Sequence, residues 1–319
     1  MKLRPSIDDI RAAHDRIFDV VHRTPVMTCS MLDDMTGRHL FFKCEHLQRV
    51  GAFKFRGASN AVWSLSDQEA VKGVCTHSSG NHAQALARAA RERDIPAWIV
   101  MPTTAPAVKR RAVEGYGGTI VPCEPTLEAR ETTAATVIAD TGAEFIHPYD
   151  DPRIIAGQAT AAVELIEDAG PLDAVVAPVG GGGLMSGTCL ATSVLLPAAM
   201  LVGAEPSGAD DAARSLGAGE LIPQTAPDTI CDGLLTSLSD LTFGILRDHL
   251  DGIVTVSDDE VTHAMRLLWE RAKLLVEPSS ATVLAAMLSS ACSIPEGARV
   301  GVILSGGNVG LDQLPWQHR

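Results

Sequence analysis

Nothing in the 319 residues sets two cysteines in a Cys-x-x-Cys pair, and the seven cysteines (Cys29, Cys44, Cys75, Cys123, Cys189, Cys231 and Cys292) are scattered and odd in number. Reduced thiols in a cytoplasmic protein are the expected state. Basic residues are also in short supply: 26 Lys and Arg face 39 Asp and Glu, for a formal net charge of −13. Non-specific nucleic-acid binding needs clustered Lys and Arg, so no nucleic-acid partner is expected. No uninterrupted apolar run reaches transmembrane length, and "MKLRPSIDDIRAAHDRIFDVVH" turns polar at once, so neither a membrane span nor a secretory signal is expected. Internal repeats, low-complexity tracts and long linkers are missing too. What is there is 46% apolar and 20% charged residues, the composition of a soluble globular enzyme with one large or two medium domains.

Ser6 before "IDDIRAAHDRIFDVV" predicts an N-capped amphipathic helix ending ahead of Thr24-Pro25. Short apolar runs then read as strands at 39–44, 73–78, 97–101, 119–123, 143–147, 174–179, 201–205 and 299–305. Helical spacing fills "NHAQALARAARER", "AVKRRAVEGYG", "TLEARETTAATVIAD", "AGQATAAVELIEDA" and "DDEVTHAMRLLWERAKLL". This alternation predicts an α/β fold with mainly parallel sheets. The rhythm over 73–147 is tight enough for a small domain of its own, leaving 1–72 and 148–319 to form a large one.

Open parallel sheets bind ligands at the carboxyl ends of their strands. Three loops there stand out. "PVGGGGLMSG" (178–187) can turn sharply and aim several N–H groups at an anion, with a helix N-terminus behind them. It lacks the lysine of a nucleoside-triphosphate loop. A dinucleotide site is a rival reading, with Glu205 at the end of the next strand, but no register gives Gly-x-Gly-x-x-Gly. "HSSGNHAQALA" (77–87) gathers hydroxyls, an amide and backbone donors at a helix start, and a plain N-cap by Ser or Asn would account for it equally. "LSGGN" (304–308) follows a strand directly, so Ser305 is either a turn residue or a ligand contact.

"VGAFKFRGASNA" (50–61) adds a lysine, Lys54, flanked by Phe53 and Phe55. Desolvation disfavours the ammonium form, which suits a lysine nucleophile, although many such lysines only extend a charged tip to water. Taken together, "RTPV", "FFKCE", "GAFKFRGA", "THSSGNHAQALA", "PVGGGGLMSG", "AEPSGADD", "WERAKLLVEPSSA" and "LSGGNV", in this order over nearly the whole chain, resemble the fold-type II pyridoxal-phosphate enzymes. The likeness is to the serine racemase and serine/threonine dehydratase group, including relatives that dehydrate threo-3-hydroxyaspartate. It implies a tryptophan synthase β-like α/β fold with two open, twisted, mainly parallel sheet domains.

The same resemblance implies roles residue by residue. Lys54 would form a Schiff base with pyridoxal 5'-phosphate and then take the Cα proton. Gly180, Gly181, Gly182 and Gly183 would hold the cofactor phosphate, Asn81 the ring hydroxyl and Ser305 the pyridine nitrogen, with Phe53 packed near the ring. Ser78, Ser79, Asn81 and His82 would receive the substrate, joined by Arg130 and Thr236. Ser79, where typical threonine dehydratases carry alanine, would donate a proton on the face opposite Lys54 and so keep racemisation open.

"EPSGADD" matches a divalent-cation site made by Glu205, Asp211 and the carbonyl of Ala209; oxygen ligation selects Mg²⁺, Mn²⁺ or Ca²⁺. Gln84, Tyr116, Lys273 and Asn308 coincide with a nucleotide-effector site of animal racemases, which would make ATP an effector. Tyr149 and Thr236 depart from the residues of vertebrate racemases. The expected protein is a cytoplasmic homodimer acting on a small amino acid. Its expected activity is dehydration of L-serine, L-threonine or threo-3-hydroxyaspartate to a 2-oxo acid and ammonia, with serine racemisation as the alternative.

Overall fold

A computed structural model describes residues 3–317. Its strands are β1 (Val26–Met27), β2 (His39–Cys44), β3 (Val74–Thr76), β4 (Ala97–Pro102), β5 (Thr119–Cys123), β6 (Glu144–Phe145), β7 (Ala174–Pro178), β8 (Met200–Pro206), β9 (Gly252–Val256) and β10 (Arg299–Leu304). They form two sheets, a six-stranded one in the order β1-β2-β10-β7-β8-β9 and a four-stranded one in the order β5-β4-β3-β6. Every pairing is parallel except β1 with β2. The central strands β7 and β10 are almost wholly buried, as expected where helices cover both faces of a parallel sheet.

The first helix, Ile7–Ile17, opens on a capping box: Asp9 N–H donates to Ser6 Oγ, and Ser6 N–H to the Asp9 carboxylate. The predicted strands at 39–44 and 119–123 have the predicted bounds. Those at 73–78 and 143–147 shrink to β3 and β6, because the flanking residues turn into loops at the strand ends. Sequence patterning predicts neither β1 nor β9. Among the described residues, no helix is long and apolar enough to cross a membrane. All seven cysteines are free, as expected.

The seam between the sheets is built on the helix Lys54–Trp63. Its Phe55, Ala58, Ala61 and Val62 are buried in one cluster with Ala83, Leu86, Ala90 and Ile99 from around the second sheet. On its other side it crosses the helix Pro152–Ala169 at a pair of glycines. A Cβ on Gly157 would lie 2.6 Å from the Gly57 Cα, so any side chain would push the helices apart. Beneath it runs a buried ion network. Arg56 donates to Glu45 at 2.7 Å and to Glu164 at 2.7 Å, and Lys43 reaches the same Glu164 at 2.7 Å. Removing one partner of such a network costs about 3–5 kcal/mol, since charge is left buried without compensation. The start of this helix is therefore held rigidly, and Lys54 is its first residue.

Candidate active site

Lys54 is tied to the end of β10 by the backbone before it. Phe53 N–H donates to the Ser305 carbonyl at 2.9 Å, Ala52 and Gly306 form a bridge, and Gly307 N–H donates to the Gly51 carbonyl at 2.9 Å. The lysine segment and "LSGGN", selected separately in the sequence, are thus one structure. Lys54 Nζ donates to the Pro148 carbonyl at 2.9 Å and sits 5.1 Å from the centroid of the Phe53 ring. Burial pushes its pKa down to about 8, so the neutral amine is far more accessible near neutral pH than for an ordinary lysine. Ser305 is buried at the strand end that Phe53 binds.

The glycine loop follows β7 and leads into the helix Gly183–Leu195, with Gly182 in the left-handed region at φ 82°. Neighbours from two segments, at Tyr149 and at Leu234 to Leu238, require its small residues. A Cβ on Gly180 would lie 2.9 Å from the Leu234 Cα, on Gly181 2.4 Å from the Tyr149 ring, and on Gly182 2.7 Å from Leu238. The result is a glycine backbone packed closely on its neighbours at the N-terminus of a long helix, where the helix dipole favours an anion.

Residues 77–80 lead into the helix Asn81–Glu92, but the plain N-cap reading does not hold. The capping position is Gly80, and no side chain caps the helix. Ser78 Oγ accepts the Gly80 N–H at 3.5 Å, and Ser79 stands half-buried next to it. The Asn81 amide turns instead to Glu277, at 3.0 and 3.3 Å, while its oxygen accepts from Asn308 Nδ2 at 2.9 Å. His82 is buried with Nε2 3.2 Å from the Ile146 carbonyl, and burial, with Lys54 nearby, lowers its pKa well below the usual imidazole range.

Glu277 is the site residue that sequence reasoning missed. Its carboxylate also accepts the Asn308 N–H at 3.0 Å, and a Cβ on Gly306 would lie 2.7 Å from it. Burial and then Asp232 push its pKa up to about 7. It ties the loops after β3 and β10 together. The only sequence signal is its place in "VEPSSA", which reads as an ordinary acidic residue before a helix.

Glu205 lies buried near the end of β8 and accepts the N–H groups of Ala212 and Ala213 at 3.0 and 2.9 Å. Asp211 accepts the Leu238 N–H at 3.4 Å through Oδ2, while Oδ1 is buried with no partner among the described residues. Burial raises both carboxyls, Glu205 to about 8 and Asp211 to about 6, and Ala209 is buried between them in sequence. Among the described residues no three His, Cys, Asp or Glu side chains form a metal-binding group.

Thr236 is exposed on the loop after Leu234, near the Tyr149 side chain. Arg130 stands apart, in the first turn of the helix Leu127–Thr141 near Cys123, with Nε buried and without a partner among the described residues. Gln84 is one turn past Asn81, and Asn308 touches Asn81 directly. Tyr116 packs on the seam cluster, and Lys273, at φ 61°, donates to the Glu270 carbonyl.

Comparison with known proteins places this geometry. The family model described as "Pyridoxal-phosphate dependent enzyme" matches residues 17–306. The chain is 53% identical to beta-hydroxyaspartate dehydratase of Paracoccus denitrificans, over 98% of this chain and 99% of that protein. The crystal structure of serine racemase from Dictyostelium discoideum superposes with a TM-score of 0.93 at 48% identity, covering 96% of this chain and 99% of that one. The crystal structure of a T.th. threonine deaminase superposes with a TM-score of 0.91 at 43% identity, covering 97% and 100%. A lysine of lowered pKa and a glycine loop opening a helix, in a chain matched almost from end to end, have one family reading: the chain belongs to the pyridoxal-phosphate dependent enzymes.

Proposed function

We propose that the protein dehydrates a β-hydroxy amino acid to a 2-oxo acid and ammonia. The observation that carries the reading is Lys54, its pKa lowered to about 8, opening a helix that is tied to the Ser305 strand end. The identity to beta-hydroxyaspartate dehydratase favours a hydroxyaspartate among the substrates. The residues fit pyridoxal phosphate: four residues without side chains, Gly182 among them at φ 82°, open the helix Gly183–Leu195, whose N-terminus favours a phosphate. Backbone N–H groups of Gly180, Gly181, Gly182 and Gly183 would hold the phosphate, with Phe53 and Asn81 at the ring and Ser305 at its nitrogen. Bound there, the cofactor supplies an electron sink for the charge released at Cα.

The chain's own groups do the rest. The substrate carboxylate is received by Ser78, Ser79 and the backbone amides before the helix Asn81–Glu92, with His82 kept neutral beneath them. Asn81 is pre-oriented by Glu277, so it need not reorganise when ligand enters. Lys54 Nζ, neutral in part, accepts the Cα proton. The proton taken by Lys54 passes to the Cβ hydroxyl, which leaves as water, and the released enamine tautomerises to an imine that one water hydrolyses to the 2-oxo acid and ammonia. Arg130 and Thr236 are assigned to the substrate side by the resemblance; the buried Arg130 Nε has no partner among the described residues.

Serine racemisation is the second reading, favoured by Ser79 and by the likeness to the Dictyostelium enzyme. Chemically, inversion needs a donor facing Lys54 across Cα, and the Ser79 hydroxyl is assigned that role. We further assign residues 73–147 as a small domain against a large one of 1–72 and 148–319, and a cytoplasmic homodimer as the working form. ATP is assigned as an effector through Gln84, Tyr116, Lys273 and Asn308, supported by the Asn308–Asn81 contact.

A divalent cation (Mg²⁺, Mn²⁺ or Ca²⁺) is assigned to Glu205, Asp211 and the Ala209 carbonyl, supported by the buried orphan Oδ1 of Asp211. Binding only to the folded state, it should stabilise by mass action, by about 2.7 kcal/mol at a hundredfold excess over Kd. EDTA should lower the melting temperature and activity, with Mg²⁺, Mn²⁺ or Ca²⁺ restoring both. Glu205→Ala with Asp211→Ala should erase the response. A wild-type protein indifferent to chelator and cation refutes the assignment.

A further inference from the structure

In the sequence, Tyr149 stands out only as a departure from vertebrate racemases. In the fold it follows Pro148, whose carbonyl accepts Lys54 Nζ at 2.9 Å. Its ring lies against the glycine loop: a Cβ on Gly181 would be 2.4 Å from Cδ1 and 2.5 Å from Cε1 and Cγ, and one on Gly183 2.9 Å from the Tyr149 Cβ. The turn that carries it is locked by His147, whose Nδ1 accepts the Asp150 N–H at 2.8 Å and whose ring stands edge-on to Tyr149 at 4.6 Å. The Tyr149 hydroxyl, in turn, lies near the Thr236 side chain, which lowers its pKa against the raising effect of burial. The two departures are therefore neighbours in the fold. One half-buried residue joins the anchor of the lysine, the phosphate cradle and the loop assigned to substrate.

We propose that Tyr149 is a positioning residue with two separable parts: its ring sets Lys54 and the glycine loop for the cofactor, and its hydroxyl sets Thr236 for the substrate. The second part rests on the dehydratase or racemase reading above; the first rests only on family membership. A side chain at Gly181 would occupy the space of the ring, so Gly181 can gain one only where the ring gives way.

The test titrates apo-protein with pyridoxal phosphate by visible absorbance, and follows steady-state 2-oxo-acid release and the apo melting temperature on the same preparations. Tyr149→Phe, which keeps the ring, should bind cofactor as wild type does and keep kcat, while KM rises by about three- to tenfold, the worth of one hydrogen bond. Tyr149→Ala should weaken cofactor binding about tenfold or more and lower kcat by up to about 10²-fold, the cost of a misplaced reactive group. Gly181→Ala should weaken cofactor binding in wild type but much less in the Tyr149→Ala background, where the ring no longer fills the space. Should Tyr149→Ala not fold, Tyr149→Leu takes its place. Wild-type cofactor affinity in Tyr149→Ala, or an equal Gly181→Ala penalty in both backgrounds, overturns the ring's part. An unchanged KM in Tyr149→Phe overturns the hydroxyl's part. If wild type binds cofactor but turns over no hydroxy amino acid, the functional reading has failed instead, and the cofactor arms still decide the ring.

Discussion

Lys54→Ala is expected to abolish turnover and covalent retention of pyridoxal phosphate while leaving the fold intact. The substitution removes an amine that hydrogen-bonds the Pro148 carbonyl, and it leaves the buried Arg56 network and the Gly57–Gly157 crossing untouched. Alanine is also a good first-turn helix residue. The lost function is both the nucleophile and the base, so the residual rate should be that of the binding site alone. Borohydride reduction followed by mass spectrometry checks it: wild type should carry the reduced cofactor on Lys54 and the variant none. The pH dependence gives a second reading of the same group. A lysine brought from 10.5 to about 8 captures cofactor through its neutral form, so the capture rate should rise with pH through about 8. Cofactor still reducible onto the protein in Lys54→Ala contradicts the assignment.

Ser79→Ala should divide the two reactions. One base can start elimination from an L-amino acid, whereas inversion needs a proton delivered to the opposite face of Cα. Interconversion of L- and D-serine, and elimination from the D-enantiomer, should fall about 10²–10⁴-fold, the usual worth of positioned proton transfer. Dehydration of the L-substrate should fall far less. Chiral chromatography, α-deuterium exchange and 2-oxo-acid release on the same samples measure it. Equal losses in every assay would make Ser79 a binding residue only.

The parts of the site that can be read from sequence are those whose chemistry is local. Four consecutive glycines after an apolar strand announce a close backbone approach, and Lys54 between two phenylalanines announces desolvation. β2 and β5 are readable because short, mainly apolar runs mark them. "GIVTV", which forms β9, is as short and as apolar, but Asp251 and Gly252 at its start read as a turn. Contacts made across long stretches of chain leave no local trace. Asn81 meets Glu277 196 residues away and Asn308 227 residues away, and it is the fold of the two sheets around the seam helix that brings these loops together. The Ser and Asn residues of 78–81 match a capping pattern, yet Asn81 is committed elsewhere and glycine takes the cap. Arg130, selected by resemblance, sits on a helix that begins beyond β5, at the edge of the second sheet, so its place toward substrate rests on that resemblance and on its unpartnered Nε.

Incubating the holoenzyme with L-serine, D-serine, L-threonine and both threo-3-hydroxyaspartates, and quantifying ammonia, 2-oxo acid and the configuration of the remaining amino acid, tests the central claim most directly. A Lys54-based dehydratase should release ammonia and 2-oxo acid in equal amounts from at least one of these substrates, with wild type active and Lys54→Ala silent. Cofactor-loaded protein that leaves every one of them unchanged, neither eliminated nor inverted, would contradict it.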